Sequence, residues 1–159
     1  KILGDAVNKS TASMGVALTS CTVPAAGKPT FQISGTDMEV GVGIHGEPGR
    51  RRVPLASADA IAKELTEAVI NDLSLKKGSE VILLVNGFGG TPMIELYLMV
   101  NAARKILAHA GVKVIRFLTG SYVTSLEMAG CSITVTAVDS ETIELWDAAV
   151  HTPALRWGM

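Results

Sequence analysis

The sequence predicts an α/β fold in which a layered mixed β-sheet is flanked by helices, and three observations support this class. Of the 159 residues, 48% are apolar and 18% are charged, a balance typical of a folded domain and not of a disordered chain. Segments with the period of a strand alternate with segments of helical period. The early strands lie close together with short connections, which favours a mixed over an all-parallel sheet. This length predicts one domain.

The first half of the chain predicts short strands and one long helix. A short apolar strand is expected over residues 15–18, and a brief extended piece over residues 31–33. In residues 38–44, Met, Val and Ile alternate with Glu and Gly, which is the period of a strand. Ser57 is a plausible N-cap for a helix whose apolar spacing continues to Leu73.

The second half predicts a central strand followed by a long helix. Residues 80–86 are apolar on both faces, as in a strand that is covered on both sides. Thr91 can cap the next helix, with Pro92 in its first turn, and the helix is expected to end near Ala110. Further strands are predicted over residues 112–118 and 132–138, and a short helix over residues 140–148.

Charge and cysteine content exclude several classes of protein. The chain has 14 Lys and Arg against 15 Asp and Glu, so it offers no electrostatic case for binding nucleic acid or an anionic membrane. No apolar run approaches the roughly 18 residues of a membrane span. Two cysteines without a CxxC pair are typical of small buried residues in a reducing compartment, so we expect a cytoplasmic protein. Three scattered histidines and two cysteines predict no metal site.

Residues 43–49, with the sequence GIHGEPG, are the first candidate for chemistry. If the strand period continues, Gly41, Gly43 and His45 share a face on which the histidine has bare backbone beside it. A neutral imidazole can act as a base, a metal ligand or a nucleophile. Glu47 could orient the ring by accepting its other N–H. A lone histidine in a glycine-rich turn is also common as a structural or surface residue, so spacing alone leaves its role open.

Three other segments are weaker candidates. Residues 85–92 have the order strand, glycine loop, helix, which can hold a phosphate. However, Pro92 occupies the last glycine position of GxGxxG and no Gly-Lys-Ser/Thr follows, so a tight turn is the alternative. The hydroxyl-rich residues 122–127 could line a site or satisfy backbone groups. The arginines at 50–52 could meet an anion or form a solvated face.

Six segments, in this order, are similar to a known family. They are GVALT at 15–19, CTVP at 21–24, GVGIHGEPG at 41–49, TP at 91–92 with ELY at 95–97, TSLEM at 124–128, and LWD at 145–147. Together they resemble the C-terminal half of the substrate-binding K domain of the dihydroxyacetone kinase family. The resemblance covers nearly the whole chain, and GIHGEPG is its most specific part.

The resemblance implies a role for His45. In that family, the histidine of GIHGEPG binds dihydroxyacetone through Nε2 as a covalent hemiaminal, and we expect Gly43, Gly46 and Glu47 to complete the substrate site. An imidazole nucleophile adds only to a carbonyl carbon. The covalent bond would therefore reject glycerol, whose hydroxyls resemble those of the ketone.

The resemblance also implies partners. The phosphoryl donor, ADP or ATP with Mg, would lie on a separate L subunit or domain, this chain would bind no cofactor, and the K domain would form a homodimer. The family's acid and base residues lie in an N-terminal half that is absent here. We therefore expect residues 1–159 to be the second half of a two-domain K subunit, inactive alone. The alternative is a sensor paralogue that binds the ketone without phosphorylating it.

Overall fold

A computed structural model describes residues 1–45 and 49–158 and confirms the predicted α/β class. Its helices are α1 (Ile2–Lys9), α2 (Ala58–Asp72), α3 (Met93–His109) and α4 (Ser140–Asp147). Its strands are β1 (Thr11–Ala17), β2 (Asp37–Val40), β3 (Arg51–Pro54), β4 (Glu80–Gly87), β5 (Lys113–Gly120), β6 (Gly130–Ala137), β7 (Val150–His151) and β8 (Arg156–Trp157).

Six of these strands form one mixed sheet, as predicted. The strand order is β3-β2-β1-β6-β4-β5, and β7 pairs with β8 separately. Only β4 and β5 run parallel among the neighbours of the large sheet; the other four neighbouring pairs are antiparallel. The helix α3 forms the crossover between the two parallel neighbours β4 and β5, and α2 connects the edge strand β3 to β4 on the other side of β6.

The core lies between one face of this sheet and the helices α2 and α3. It contains Leu65 and Val69 of α2, Leu96 and Leu107 of α3, and Val16, Leu83, Val85, Ile133 and Val135 of the sheet. Burial of each such side chain stabilises the fold by roughly 1.5–3 kcal/mol relative to exposure. The opposite face of the sheet carries no α2 or α3 packing and is where the candidate site lies.

One predicted helix cap is confirmed and the other is wrong. Ser57 Oγ accepts a hydrogen bond from Ala60 N at 3.3 Å and caps α2. The N-cap position of α3 is Pro92, which offers no side-chain cap. The hydroxyl of Thr91 instead donates to Gly130 O at 2.9 Å and accepts from Gly130 N at 2.8 Å. A partner distant in sequence has replaced the local cap.

Several strand boundaries also differ from prediction. The second strand ends at Val40 because Gly41 adopts a φ of +82°, which turns the backbone out of the sheet. Residues 31–33 form no strand, whereas α1, β3, β7 and β8 were not predicted. In β3 the charged residues 51 and 52 lie on an edge strand, where charge discourages further pairing.

Among the described residues, no helix combines the length and apolar character needed to cross a membrane.

Candidate functional site

His45 lies exposed in the connection between β2 and β3. The base of this connection is closed by Arg50 N, which donates to Val40 O at 2.7 Å. Two of the predicted site residues, Gly46 and Glu47, lie outside the described residues, so the expected contact between Glu47 and the imidazole stays a prediction.

Gly41 has a different role from the one the strand period suggested. It does not continue a bare strand face toward His45, since its positive φ begins the turn. A Cβ atom at Gly41 would lie 2.7 Å from Cγ of Arg50. The aliphatic stem of Arg50 therefore packs directly over this glycine.

Ion pairs hold the strand that follows the His45 connection. Arg52 Nε donates to Glu39 Oε2 at 2.8 Å, and Arg51 pairs with Glu64 of α2 at 2.5 Å. Glu39 is only 8% exposed, and a Cβ atom at Gly49 would lie 2.7 Å from its Cγ. Two of the three arginines thus pair with carboxylates of the same chain, while their side chains stay 54% (Arg51) and 45% (Arg52) exposed, in agreement with the solvated face that was one interpretation of the triplet.

A cleft of about 420 Å³ opens on the sheet face opposite α2 and α3. One wall is the segment of residues 41–44, which includes Gly43 and leads directly to His45. The floor consists of two rows of paired residues across β1, β6 and β4. These rows are Ser13–Thr134–Leu84 and Gly15–Ser132–Asn86. The structure thus places the predicted residue Gly43 in the lining of the cleft, whereas His45 follows the lining residue Ile44 in sequence and is not itself a lining residue.

The cleft is polar along its floor and aromatic at one end. The hydroxyls of Ser13 and Thr134 are hydrogen-bonded at 2.8 Å. A Cβ atom at Gly15 would lie 2.9 Å from Cζ of Phe88, so the absence of a side chain there makes room for the ring. Most of the side chains that line the cleft are apolar, and they surround a few hydroxyls; this combination is typical of small-ligand sites.

A second groove of about 550 Å³ lies between α2 and α3. It is lined by Lys63, Glu67, Lys105 and His109 among others, and it is on the side of the sheet away from His45. No group of three or more His, Cys, Asp and Glu side chains in the described part of the chain could hold a metal ion. Burial raises the pKa of the Cys131 thiol to about 12, which disfavours the thiolate that a nucleophilic cysteine requires.

The glycine loop of residues 87–90 is a tight turn and not a phosphate site. Gly90 N donates to Met128 O at 2.8 Å and is not available to a ligand. A Cβ atom at Gly89 would overlap Leu126 O, and one at Gly90 would overlap Glu127 O. The glycines are needed because another backbone segment lies directly against them.

The hydroxyl-rich segment of residues 122–127 also serves structure. Ser125 is buried, its N–H donates to Phe88 O at 2.8 Å, and its Oγ donates to Cys21 Sγ at 3.2 Å. The carboxylate of Glu127 accepts from Thr22 N at 2.6 Å. Hydrogen bonds from its own N–H and from Thr22 lower the pKa of Glu127. This segment is thereby bound to the loops that surround it.

Sequence reasoning passed over Asn86. Its side chain is 3% exposed at the carboxyl end of β4, lines the cleft, and bonds to the segment after β5. One signal was available: an amide directly after the aliphatic run of residues 81–85 must find hydrogen-bond partners if the strand is buried.

Comparisons with known proteins agree with this fold and motif. The family model described as "Dak1 domain" matches residues 1–154. One relative is DhaK, the dihydroxyacetone-binding subunit of the PEP-dependent dihydroxyacetone kinase of Escherichia coli (strain K12). The two sequences are 43% identical over an alignment 180 residues long, gaps included, and the alignment covers 98% of this chain and 51% of that protein. Triokinase/FMN cyclase of Homo sapiens is 39% identical over 156 residues, covering 95% of this chain and 27% of that protein.

A solved structure described as the dihydroxyacetone kinase operon co-activator Dha-DhaQ superposes with a TM-score of 0.86 at 30% identity, covering 96% of this chain and 47% of that one. The chain spans about half the length of the bacterial DhaK subunit that it matches. The resemblance inferred from the six sequence segments is confirmed. Since the family model extends over residues 1–154, the chain belongs to the Dak1 domain family.

Proposed function

We propose that this chain is the part of a dihydroxyacetone kinase K subunit that binds dihydroxyacetone covalently through His45. The observation that carries the proposal is the exposed imidazole directly after the cleft wall of residues 41–44. The 43% identity to a subunit named as dihydroxyacetone-binding supports the choice of ligand.

The proposed bond is an addition with no leaving group. Nε2 of neutral His45 attacks the carbonyl carbon, a C–N bond forms, and the π bond of the carbonyl breaks. The carbonyl oxygen takes up a proton while Nδ1 gives one up, so the product is a neutral hemiaminal. Glycerol has no electrophilic carbon and is not captured. Reactivity therefore supplies a selectivity that hydrogen bonds to hydroxyls alone would not.

Other residues would hold the ligand in place. We propose that backbone groups of Gly43 and Gly46 line the bound ketone, and that Glu47 accepts the Nδ1–H of the free imidazole before the addition and so leaves Nε2 unprotonated for the attack. The floor of the cleft offers the Ser132 hydroxyl near this end. A fixed orientation of the captured ketone would expose one hydroxyl for phosphoryl transfer.

The remaining machinery would belong to other parts of the enzyme. We propose that ADP or ATP with Mg is carried by an L subunit or domain, that this chain has no cofactor of its own, and that residues 1–159 form the C-terminal portion of a cytoplasmic, homodimeric K subunit. The coverage of 51% of the E. coli subunit supports a missing half. If that half supplies the acid and base, this portion alone is inactive.

A sensor function is the second candidate. The structure described as an operon co-activator superposes on this chain with a TM-score of 0.86. A sensor would keep His45 and the cleft but would not require acid and base residues. Phosphorylation of dihydroxyacetone by the complete protein with its nucleotide-bearing partner would favour the kinase, and ketone binding without turnover would favour the sensor.

His45→Ala in the complete protein tests the covalent bond. With dihydroxyacetone isotopically labelled at its carbonyl carbon, wild type should convert the carbonyl NMR signal of the bound ligand to that of a tetrahedral carbon, and the variant should not. His109→Ala, an exposed histidine at the end of α3, is the matched control and should behave as wild type. A tetrahedral signal in His45→Ala would assign the bond to another nucleophile, and unfolding of the variant would make His45 structural.

A further inference from the structure

Asn86 is a buried amide on the floor of the cleft. It lies near the carboxyl end of β4, opposite Ser132 of β6, and is only 3% exposed. A buried primary amide is costly unless its donors and acceptors are paired. The identity of its partners therefore indicates what the residue does.

All three hydrogen bonds of this amide go to one dipeptide of the segment after β5. Nδ2 donates to Val123 O at 2.7 Å, while Oδ1 accepts from Tyr122 N and from Val123 N, both at 2.9 Å. Such an arrangement fixes both the position and the orientation of the two peptide groups. It also leaves little capacity on the amide for a ligand.

Val123 is the part of this segment that faces the cleft. Its side chain is 51% exposed, and it lies among the lining residues together with Asn86 and Phe88. Val123 therefore forms an apolar wall that the amide holds in place.

We propose that Asn86 is a positioning residue that sets the length of ketose the cleft accepts, by holding Val123 as its wall. The proposal rests on the proposed function, in which the carbonyl carbon is fixed at His45. A ketose with one more hydroxymethine carbon would extend further into the cleft. The additional hydroxyl of this ketose would lie against the apolar side chain of Val123. It would lose its hydrogen bonds to water without gaining one to the protein, and binding of the longer ketose would therefore be weaker.

The test compares two clamps of the β5–β6 connection in the complete protein. Asn86→Ala releases the wall. Thr91→Val removes the two hydrogen bonds to Gly130 at the other end of the same connection, where Thr91 is not among the residues lining the cleft. Dissociation constants for dihydroxyacetone and for L-erythrulose, a four-carbon ketose, are measured by calorimetry, and thermal unfolding is followed for each variant.

Wild type should prefer dihydroxyacetone, and Asn86→Ala should reduce that preference by about tenfold, within the range by which one added or missing group changes recognition. Thr91→Val should lower stability but leave the preference unchanged. Val123→Ala shortens the wall without removing the clamp and should shift the preference in the same direction as Asn86→Ala, which keeps the proposal testable if Asn86→Ala does not fold.

Two results would overturn the proposal. The first is that Asn86→Ala and Val123→Ala, where they fold, keep the wild-type ratio of the dissociation constants for the two ketoses. The second is that Thr91→Val changes this ratio as much as Asn86→Ala does, which would make Asn86 only a stabilising residue. Both are distinct from failure of the proposed function. If wild type binds neither ketose, the ligand assignment fails together with this inference.

Discussion

The chain contains two glycine-rich segments that each follow a strand, and they have opposite surroundings. Residues 87–90 lie under the backbone of the β5–β6 connection, with Gly90 N bonded to Met128 O and no free space over Gly89. Residues 41–44 leave the sheet and line a cleft, and His45, which follows them directly, is exposed. Both segments contribute to the lining of the cleft, the first through Phe88 and the second through residues 41–44, but another backbone segment lies against Gly89 and Gly90, whereas the atoms nearest a Cβ at Gly41 belong to the side chain of Arg50.

The atoms that pack over a glycine determine why a side chain is excluded there. Over Gly89 and Gly90 the neighbour is backbone, which cannot move aside. Over Gly41 it is the flexible stem of Arg50, which can. Substitutions in the two segments should therefore differ in size and in kind.

Gly89→Ala should have the largest effect. Its φ of +126° is unfavourable for alanine, and the new Cβ would overlap Leu126 O. We expect a loss of at least about 3 kcal/mol, measured by urea unfolding of the complete protein, because backbone strain and overpacking add. Gly27→Ala is the control: its φ is +62° but nothing lies within 4 Å of the new atom, so it should lose about 1 kcal/mol. Similar losses at the two positions would mean that the close contact costs little.

Glu39→Ala should have the next largest effect, this time on the anchoring of the His45 connection. It leaves Arg52 without its partner and opens space beneath Gly49, at a cost of about 1–3 kcal/mol. Hydrogen exchange at the Arg50 amide, which bonds to Val40 O, should become faster. The control Glu64→Ala breaks a more exposed pair with Arg51 and should cost under about 1 kcal/mol. If exchange at Arg50 accelerates equally in both variants, the Glu39 pair has no special part in holding this connection.

Gly41→Ala should destabilise the protein less than Gly89→Ala does. The φ of +82° strains an alanine by roughly 1–2 kcal/mol, while the stem of Arg50 can rotate away from the new methyl group. Thermal unfolding measures the loss. A decrease as large as that of Gly89→Ala would show that Arg50 is held rigidly over the turn.

Glu127 should contribute the smallest effect, and only in a defined pH range. Its pKa is lowered from the ordinary value of 4.5 by hydrogen bonds from its own N–H and from Thr22. A carboxyl whose folded pKa is below its unfolded pKa stabilises the protein above the unfolded value, and this contribution is lost as pH falls through the folded value. The difference in urea midpoint between wild type and Glu127→Gln should be constant near neutral pH and shrink below about 4.5. A difference independent of pH would contradict ionisation as its source.

Local patterns predicted the long elements well. The apolar run of β4 and the spacing of α2 after Ser57 depend on neighbours in sequence, and both were found. The end of β2 could not be predicted, because the alternation of apolar residues continues past Gly41 although the backbone turns there. The short α1 buries none of its residues, so burial could not have marked it.

The candidate site was predictable only in part for the same reason. The motif predicted His45 and Gly43; Gly43 lines the cleft, and the role of His45 stays a prediction. The floor of the cleft depends on which residues of β1 and β6 are opposite each other, such as Ser13 and Thr134, and alternation within one strand does not determine pairing between strands. The side chain of Asn86 accepts hydrogen bonds from the backbone of Tyr122 and Val123, and no spacing rule predicts a contact between residues so far apart in sequence.

The position of β6 in the sheet has a consequence for synthesis of the chain. Of the six strands in this sheet, β6 is last in sequence, yet it lies between β1 and β4 and pairs with both. Until residues 130–137 have left the ribosome, β1 and β4 each have one unpaired edge. The pairs formed by β1, β2 and β3 are then separate from the pair of β4 and β5. Pairing Thr11 with Thr136 then closes a long loop, which makes folding slow compared with that of local structure. The nascent chain should therefore depend on chaperones to protect these edges from aggregation until its central strand arrives.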